Sequence, residues 1–442
     1  MSVFDELKRG LGEEFKSFFS ELSELYKFVA KELGIPVEQL GIEARKQILD
    51  SAINKRRKFH EVIIKVGRGQ CLDELVSSLA KEFGFQLYCF SSIGYAAMQV
   101  PAVEAVEIRD RLCSKGFDAR LAYNFFLPEL LLSERFSKQE LSSPNSFGHL
   151  EQIGAKEAQK VTKGEGTKVL VLDTGVDYNH KELCKLFAKP EKGYNFVHNS
   201  NDPFDDNGHG THVTGLLAGL NTGVATLCDL YSAKVLNSYG YGSEVDIVRA
   251  IEWGINKKVN VMSMSIGSTL YSELEEEIIK EAVLRGILVF AASGNFGWGK
   301  SYPAAYQGVI SVAAVDSENK HAEFSNIDES VDLSAPGVDI LSSIPANRYA
   351  KYSGTSMSAP LAAGVGALLI SLKPGLRPEY YEQLLKDSCL PLGAGEFFRK
   401  EKYGAGLVRA DIAVGIAQTL SEEHSEVIGY KIFKKMIKLL VD

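Results

Sequence analysis

Five short apolar runs from residue 168 onward, separated by helical patterns, constrain the fold more than any other feature. Near-continuous apolar strands between helices are buried on both faces, which is typical of a parallel sheet covered by helices on both sides. The sequence therefore predicts an α/β fold. Strands are expected at 168–172, 229–236, 260–266, 288–292 and 308–314, and helices at 209–220, 243–257, 272–285 and 355–372.

Polar residues follow two of these runs directly. Asp173 ends the first run, and Asn295 ends the fourth run within Ser-Gly-Asn. Functional groups of a parallel sheet gather at the carboxyl ends of its strands. The pattern predicts a site at that edge containing Asp173 and Asn295.

Ser356 stands in the stretch Gly-Thr-Ser-Met-Ser-Ala-Pro, directly before an apolar run with helical spacing. It would therefore lie at a helix N-terminus, where unpaired N–H groups and the helix dipole favour negative charge. That setting suits a nucleophilic oxygen, but capping a helix is the commoner use of such a serine. This stretch alone leaves both interpretations open.

Three sequence blocks together resolve that choice. They are Asp-Thr-Gly at 173–175, His-Gly-Thr-His at 209–212 and Gly-Thr-Ser-Met-Ser-Ala-Pro at 354–360. The chain order Asp, His, Ser is the subtilisin order. From about residue 145 to 417 the chain resembles the subtilisin-like serine proteases, or subtilases, and the resemblance implies a serine endopeptidase acting on proteins or peptides.

The resemblance also implies a role for each residue of these blocks. His209 would be the general base for Ser356, and Asp173 would hold the His209 ring. Asn295 and the Ser356 N–H would stabilise the oxyanion of the tetrahedral intermediate. We expect a structural role for His212, and a turn or helix-capping role for Asp177.

Substrate-binding residues are expected from the same resemblance. Gly240, Tyr241 and Gly242 would offer an edge strand to which substrate adds as a β-strand. Ser265, Ile266 and Gly267 would line one wall of the pocket for the side chain before the cut bond. Phe296 stands where many subtilases carry a polar or acidic residue, and an aromatic ring there would disfavour basic side chains.

A calcium site is the family feature that the sequence argues against. The segment 220–225 is shorter than the calcium-binding loop that many bacterial subtilisins insert there, so the family's tight site is not expected and no cofactor is required. Asp202, Asp205 and Asp206 could form another oxygen site, but loop carboxylates are usually solvated. We therefore assign no metal ligands.

The first 126 residues divide into two patterns. Residues 1–58 read as helical, with an apolar stripe that could serve dimerisation, membrane contact or packing on the chain itself. Residues 59–126 read as β-α-β-β-α-β, the order of a small α+β ferredoxin-like domain. In front of a subtilase domain it resembles the family propeptide, a folding chaperone and inhibitor.

The aperiodic segment 127–146 reads as an exposed linker in which a propeptide would be cut. The catalytic domain would then span 147–442. Two alternatives remain: a zymogen that stays uncut until a signal triggers it, and a non-catalytic binding protein on a subtilase fold. The intact set of Asp173, His209, Asn295 and Ser356 argues against the second alternative.

Composition excludes some partners and locations. The net charge of −8 argues against nucleic acid, and 45% hydrophobic with 24% charged residues is ordinary for a soluble protein. We expect no membrane span, because no apolar run approaches the roughly 18 residues that one requires. Residues 1–31 contain no uninterrupted apolar core, which favours a cytoplasmic location. The cysteines are expected to be reduced and mostly buried; they are Cys71, Cys89, Cys113, Cys184, Cys228 and Cys389.

Overall fold

The structure is a computed structural model and is described for residues 27, 30, 31, 59–66, 72–122, 124–126, 140–141, 147–187 and 192–420. Most of the predicted helical region 1–58 and most of the predicted linker 127–146 lie outside these residues. The expectations for those segments, including the processing site, stay predictions.

The first part forms a four-stranded antiparallel sheet with two helices, in the predicted β-α-β-β-α-β order. The strands pair in the order β2-β3-β1-β4. The elements are β1 (Phe59–Lys65), α1 (Leu72–Phe83), β2 (Gln86–Phe90), β3 (Tyr95–Pro101), α2 (Ala105–Ser114) and β4 (Asp118–Leu121).

Alternation along β1 shows how this small sheet is buried on both faces. Val62 and Ile64 belong to a core shared with Ile108 and Leu112 of α2. Ile63, on the opposite face, belongs instead to a core that extends into the second part of the chain. The small sheet therefore packs its own helices on one face and the larger domain on the other.

Two short strands connect the small sheet to the larger domain. These are β5 (Asn124–Phe126) and β6 (Glu140–Leu141). The predicted bounds 59–126 assign residues 124–126 to the small domain, but these residues form β5, which leaves that sheet and pairs with a strand of the larger domain. The last strand of the small sheet ends at Leu121.

The larger domain contains the predicted parallel sheet, which has seven strands where five were expected. The strand order is β14-β13-β12-β11-β7-β9-β8. Its strands are β7 (Lys168–Asp173), β8 (Gly193–Asn195), β9 (Asp229–Lys234), β11 (Val261–Met264), β12 (Leu288–Ala292), β13 (Val309–Val315) and β14 (Leu333–Pro336), and the remaining strands are β10 (Tyr241–Ser243), β15 (Ile340–Ile344) and β16 (Arg348–Tyr352).

Helices cover both faces of this sheet. The helices are α3 (Gly148–Gln152), α4 (Ala155–Ala158), α5 (His209–Ala218), α6 (Glu244–Lys257), α7 (Glu273–Leu284), α8 (Thr355–Leu372), α9 (Pro378–Asp387), α10 (Arg399–Tyr403) and α11 (Ala410–Thr419). One face of the sheet packs on α6 and α7, and the other face packs on α5, α8 and α11. Edge strands β8 and β14 were not predicted, because neither forms a distinct apolar run.

Two expectations from composition need correction. Helix Thr355–Leu372 has 18 residues and a mean hydropathy of 1.5, so it is long and apolar enough to span a membrane. However, 89% of it is buried inside the protein, as the central helix beside the sheet. The cysteines are also less buried than predicted, since Cys113 and Cys184 are exposed while Cys228 and Cys389 are buried.

Candidate active site

Asp173 and His209 meet at the carboxyl edge of the parallel sheet. Asp173 is the last residue of β7, and His209 is the first residue of α5. Nδ1 of His209 lies 2.8 Å from Oδ1 of Asp173, and both side chains are buried. Burial raises the pKa of Asp173, while the charge and hydrogen bond of the His209 ring and the Thr174 N–H oppose that shift.

Glycine is required next to His209. A Cβ on Gly210 would lie 2.1 Å from the Gly175 carbonyl oxygen, which is backbone and cannot move aside easily. Gly208 has a φ of 107°, a conformation that other residues rarely adopt. These two glycines allow α5 to begin against the loop that follows Asp173.

Asp205 holds the two catalytic loops together, a role the sequence analysis missed. It is 1% exposed and accepts hydrogen bonds from the hydroxyls of Thr174 (2.9 Å) and Thr211 (2.6 Å). It also accepts the backbone N–H groups of Asn207, Gly208 and Thr211. The only signal for this role in the sequence was that Asp205 lies close to His209 in the chain.

The three loop carboxylates considered for a metal do not form one site. Asp202 accepts hydrogen bonds from Tyr178 and from the Phe204 N–H, and Asp206 pairs with Lys234 at 2.7 Å. Among the residues that the structure describes, no group of three or more His, Cys, Asp or Glu side chains could hold a metal ion. The oxygen site considered for these residues is not supported.

Lys234 is a second residue that sequence reasoning missed. It is the last residue of β9, pairs in register with Asp173 and is 1% exposed. Its Nζ donates to the Thr174 and Leu236 carbonyl oxygens at 2.6 and 3.0 Å, besides its contact with Asp206. The buried ammonium fixes the backbone that directly follows Asp173.

Ser356 is the second residue of α8, which packs directly on α5. Its side chain is fully buried, and its Oγ makes no hydrogen bond with a described residue, including His209. Hydrogen bonds between nucleophile and base are often long in an enzyme without substrate and tighten in its complexes. The bond expected from the sequence is therefore not formed in this state.

Pro360 changes the hydrogen bonding of Ser356. Proline has no N–H, so the Ser356 carbonyl four residues earlier lacks its usual helical partner. The Ser265 hydroxyl donates to that carbonyl at 2.8 Å instead. A residue predicted to line the substrate pocket thus also holds the backbone of Ser356.

Asn295 lies next to Ser356 and is oriented through Thr355. Its Oδ1 accepts the Thr355 N–H at 2.9 Å and the Thr355 hydroxyl at 2.8 Å. An amide with its oxygen so occupied must direct its NH2 group the other way. Asn326 supports the same loop by accepting the Phe296 N–H at 2.7 Å.

His212 and Asp177 have the surroundings of structural residues. His212 Nε2 lies 3.0 Å from the carbonyl oxygens of Ile340 and Ala350, and its ring stacks on Tyr352. Burial lowers the pKa of His212 to about 3, so the ring is neutral. Asp177 accepts the N–H groups of Asn179 and Ala346.

The predicted edge strand is paired in this structure. Strand β5 runs antiparallel to β10, with Phe126 opposite Tyr241 and Phe125 opposite Gly242. A Cβ on Gly242 would lie 2.0 Å from the Val235 carbonyl oxygen, so this position requires glycine. Gly240 precedes the strand and has a φ of 79°.

The predicted pocket residues are Ser265, Ile266 and Gly267, which directly follow β11, and Phe296. Ile266 is fully buried, and Phe296 is 9% exposed. Both belong to the same apolar core cluster. Gly267 is also buried and directly follows Ile266. This part of the site is therefore apolar.

Comparison with known proteins agrees with this geometry. A sequence profile of the subtilase family matches residues 164–406, more than half of the chain. The thermostable alkaline protease of Halalkalibacterium halodurans is 40% identical over 253 residues, which cover 56% of this chain and 67% of that protein. Subtilisin Savinase of Lederbergia lenta is 40% identical over 256 residues, covering 57% and 91%.

A third relative extends over more of the chain. Subtilisin E of Bacillus subtilis is 38% identical over 341 residues, which cover 71% of this chain and 87% of that protein. The family profile, these relatives and the arrangement of Asp173, His209, Asn295 and Ser356 agree with one another. The chain belongs to the subtilase family and is a subtilisin-like serine endopeptidase.

Proposed function

We propose that Ser356 is the nucleophile of this endopeptidase, with His209 as its general base and Asp173 as the group that holds the His209 ring. The observation that carries this assignment is the 2.8 Å contact between His209 Nδ1 and Asp173 Oδ1. It keeps the ring proton on Nδ1, so Nε2 is the nitrogen that can accept a proton.

The reaction then follows from these positions. Ser356 Oγ attacks the scissile carbonyl carbon as His209 Nε2 takes the hydroxyl proton. The imidazolium gives that proton to the leaving amine, and water hydrolyses the acyl ester by the same route. The Asn295 amide and the Ser356 N–H donate to the oxyanion. Loss of one such donor costs about 100- to 1,000-fold in turnover, a range established on a subtilisin itself.

Two substitutions test the assignment. Ser356→Ala should abolish peptide hydrolysis and leave the melting temperature within a few degrees of wild type. Adding His209→Ala should cost little more, because the residues of a triad act as a unit. A fluorophosphonate probe should label the wild type and not Ser356→Ala. Near-wild-type turnover by Ser356→Ala would refute the assignment.

The small domain, residues 59–126, is proposed to be an inhibitory propeptide, so the chain is a zymogen. The support is the pairing of β5 with β10, because the segment that leaves the small domain lies on the strand expected to receive substrate. We place the cut within 127–146, with Leu131 or Leu132 suited to the apolar pocket.

Self-processing has a direct test. Purified wild type should separate into two fragments on a denaturing gel, and Ser356→Ala should remain one intact chain. N-terminal sequencing of the larger fragment locates the cut. A wild type that stays intact through prolonged incubation, yet reacts with the probe, would favour the signal-triggered zymogen instead.

Specificity at the cut bond is proposed to be apolar. Ile266 and Phe296 share one buried cluster, and neither can neutralise a charge. Large apolar or aromatic side chains before the cut bond should therefore be preferred over Lys and Arg. A peptide series that varies only this residue measures the preference, and fastest cleavage after Lys or Arg would contradict it.

A further inference from the structure

An exposed aromatic patch lies close to the loop that carries Asn295. It consists of Trp298, Phe397 and Phe398, whose side chains are 59%, 88% and 54% exposed. The rings of Trp298 and Phe398 meet edge to face, with their centroids 5.3 Å apart. Single exposed apolar residues are ordinary, but a contiguous exposed patch more often marks an interaction site. The aromatic patch is therefore a candidate binding surface.

Backbone hydrogen bonds fix the loop that carries Trp298. The Gly297 N–H donates to the Phe324 carbonyl oxygen at 2.8 Å, and the Asn326 amide donates to the Gly299 carbonyl oxygen at 2.8 Å. These two contacts lie on either side of Trp298 in the chain. The ring is thus presented to solvent by an anchored turn, and a partner that binds it has little loop motion to arrest.

Phe398 is held in a backbone conformation that bulky residues rarely adopt. Its φ is 55°, in the left-handed region. Its carbonyl oxygen accepts the Lys402 N–H at 2.9 Å, and Nε of the next residue, Arg399, donates to the Leu392 carbonyl oxygen at 2.6 Å. Backbone strain of this kind is concentrated at functional sites. The strain is a second reason to assign a function to the aromatic patch.

The charges next to the aromatic patch are of both signs. Lys300 pairs with Glu329 at 3.1 Å, and Lys402 pairs with Glu396 at 3.0 Å. Nucleic acids and anionic membranes are attracted by concentrated positive charge, which these pairs reduce. The chemistry of the surface therefore favours an apolar partner.

The aromatic patch is continuous with the candidate active site. Trp298 follows Asn295 by three residues, so their Cα atoms are at most about 11 Å apart. Phe296, which is expected to line the substrate pocket, lies between them in the chain and is only 9% exposed. The same loop therefore carries a buried ring toward the pocket and an exposed ring outside it. A long substrate chain bound at Ser356 could reach Trp298 with a few further residues.

We propose that the aromatic patch is a docking surface for an apolar or aromatic segment of an unfolded protein substrate, outside the cleft that binds the cut bond. Folded proteins bury most of their large apolar side chains, so an unfolded chain is the substrate that offers such a segment. The endopeptidase thus selects unfolded proteins over folded ones. This inference rests on the proposed function, because it names the substrate class of the same active site.

Two substrates distinguish the aromatic patch from the cleft in the active enzyme. One is a tetrapeptide anilide with Phe before the cut bond, and the other is reduced, carboxymethylated lysozyme, which stays unfolded. Trp298→Ser combined with Phe397→Ser should lower kcat/KM for the unfolded protein about 10-fold, chiefly through KM, as for aromatic side chains lost from an interface. Hydrolysis of the anilide should stay near the wild-type rate.

Two further variants support this comparison. Leu284→Ser is the matched control, because Leu284 is an 80% exposed apolar residue on α7, and it should change neither rate. Phe398→Asn removes a ring of the patch and introduces a residue that tolerates the left-handed conformation. It should also slow cleavage of the unfolded protein selectively, and it decides the question if the double variant fails to fold.

Equal losses on both substrates, or no loss on either, would overturn the proposal. A dimer that sedimentation shows to be broken by the double variant would assign the patch to a second copy of the chain. Binding to phosphatidylcholine vesicles that the double variant loses would assign it to a membrane, and either result would also overturn the proposal. A wild type that hydrolyses neither substrate would instead refute the proposed function.

Discussion

At the scale of single residues, the proposed nucleophile Ser356 depends on a contact that its own helix cannot make. Pro360 leaves the Ser356 carbonyl without a helical partner, and Ser265 replaces it. The group proposed to activate Ser356 lies at the start of α5, whereas the group that holds its backbone directly follows β11. His209 and Ser265 together would set the position of Ser356.

Ser265→Ala should lower the free energy of unfolding by about 1–3 kcal/mol, because a buried carbonyl loses its donor. It should also lower kcat more than it changes KM, since the Ser356 backbone loses its support. Urea unfolding in the Ser356→Ala background measures the first effect without self-digestion. Peptide kinetics in the active enzyme measure the second.

Ser263→Ala is the matched control for this change. Ser263 lies on β11, two residues before Ser265, and is fully buried, but its hydroxyl makes no hydrogen bond with a described residue. Its removal should be neutral or slightly stabilising. Equal effects of the two substitutions would show that the contact with Ser356 contributes nothing.

At the scale of elements, the short connection between α5 and β9 is held by protein groups where many subtilisins insert a calcium loop. Glu182 is buried and accepts the Asn221 N–H at 2.7 Å, the Asn221 amide at 3.0 Å and the Tyr349 hydroxyl at 2.6 Å. Burial acts to raise the pKa of Glu182, but these hydrogen bonds outweigh it and the pKa is lowered. The carboxylate needs no cation to be stabilised.

Calcium removal should therefore change stability little, and we propose that the enzyme requires no cofactor. A chelator should shift the melting temperature of the Ser356→Ala variant by a few degrees at most. The same chelator saturated with calcium controls for its other effects. A loss of more than about 10 °C, several kcal/mol for a domain of this size, would reveal a strong site elsewhere.

At the scale of the whole molecule, buried histidines make the fold sensitive to acid. Burial lowers the pKa of His149 to about 4 and that of His212 to about 3. At a pH between those pKa values and about 6.5, these two histidines bind protons in the unfolded chain but not in the folded chain. Stability is therefore fully present above about pH 6.5 and falls as the pH drops toward 4, by up to about 1.4 kcal/mol per pH unit for each ring.

His149→Gln should flatten this dependence. The amide can still donate to the Thr222 carbonyl, which His149 Nε2 contacts at 3.0 Å, but it cannot titrate. Urea unfolding of the Ser356→Ala protein from pH 7.5 to 4.5 measures the slope. The exposed His198→Gln should leave the slope unchanged, and identical slopes for all three proteins would contradict the assignment.

The sequence by itself determined which elements form and which chemical groups they carry. The strand at 288–292 and the helix Thr355–Leu372 were predicted with their observed bounds, because apolar periodicity is a local property. The residues Asp173, His209, Asn295 and Ser356 were identified from short motifs in a fixed chain order. Helix His209–Ala218 was predicted two residues too long, since helix ends depend on local contacts.

Only the tertiary structure decided which of these groups touch. The seven strands pair in a non-sequential order, which brings Ser265 to the Ser356 carbonyl across 91 residues. Packing of the small domain on the larger one brings Arg120 to Glu244 across 124 residues. Asp205 and Lys234 likewise act through partners distant in sequence. A hydrophobic pattern specifies that a strand is buried and not which strand lies beside it, so these contacts became visible only once the sheet was assembled.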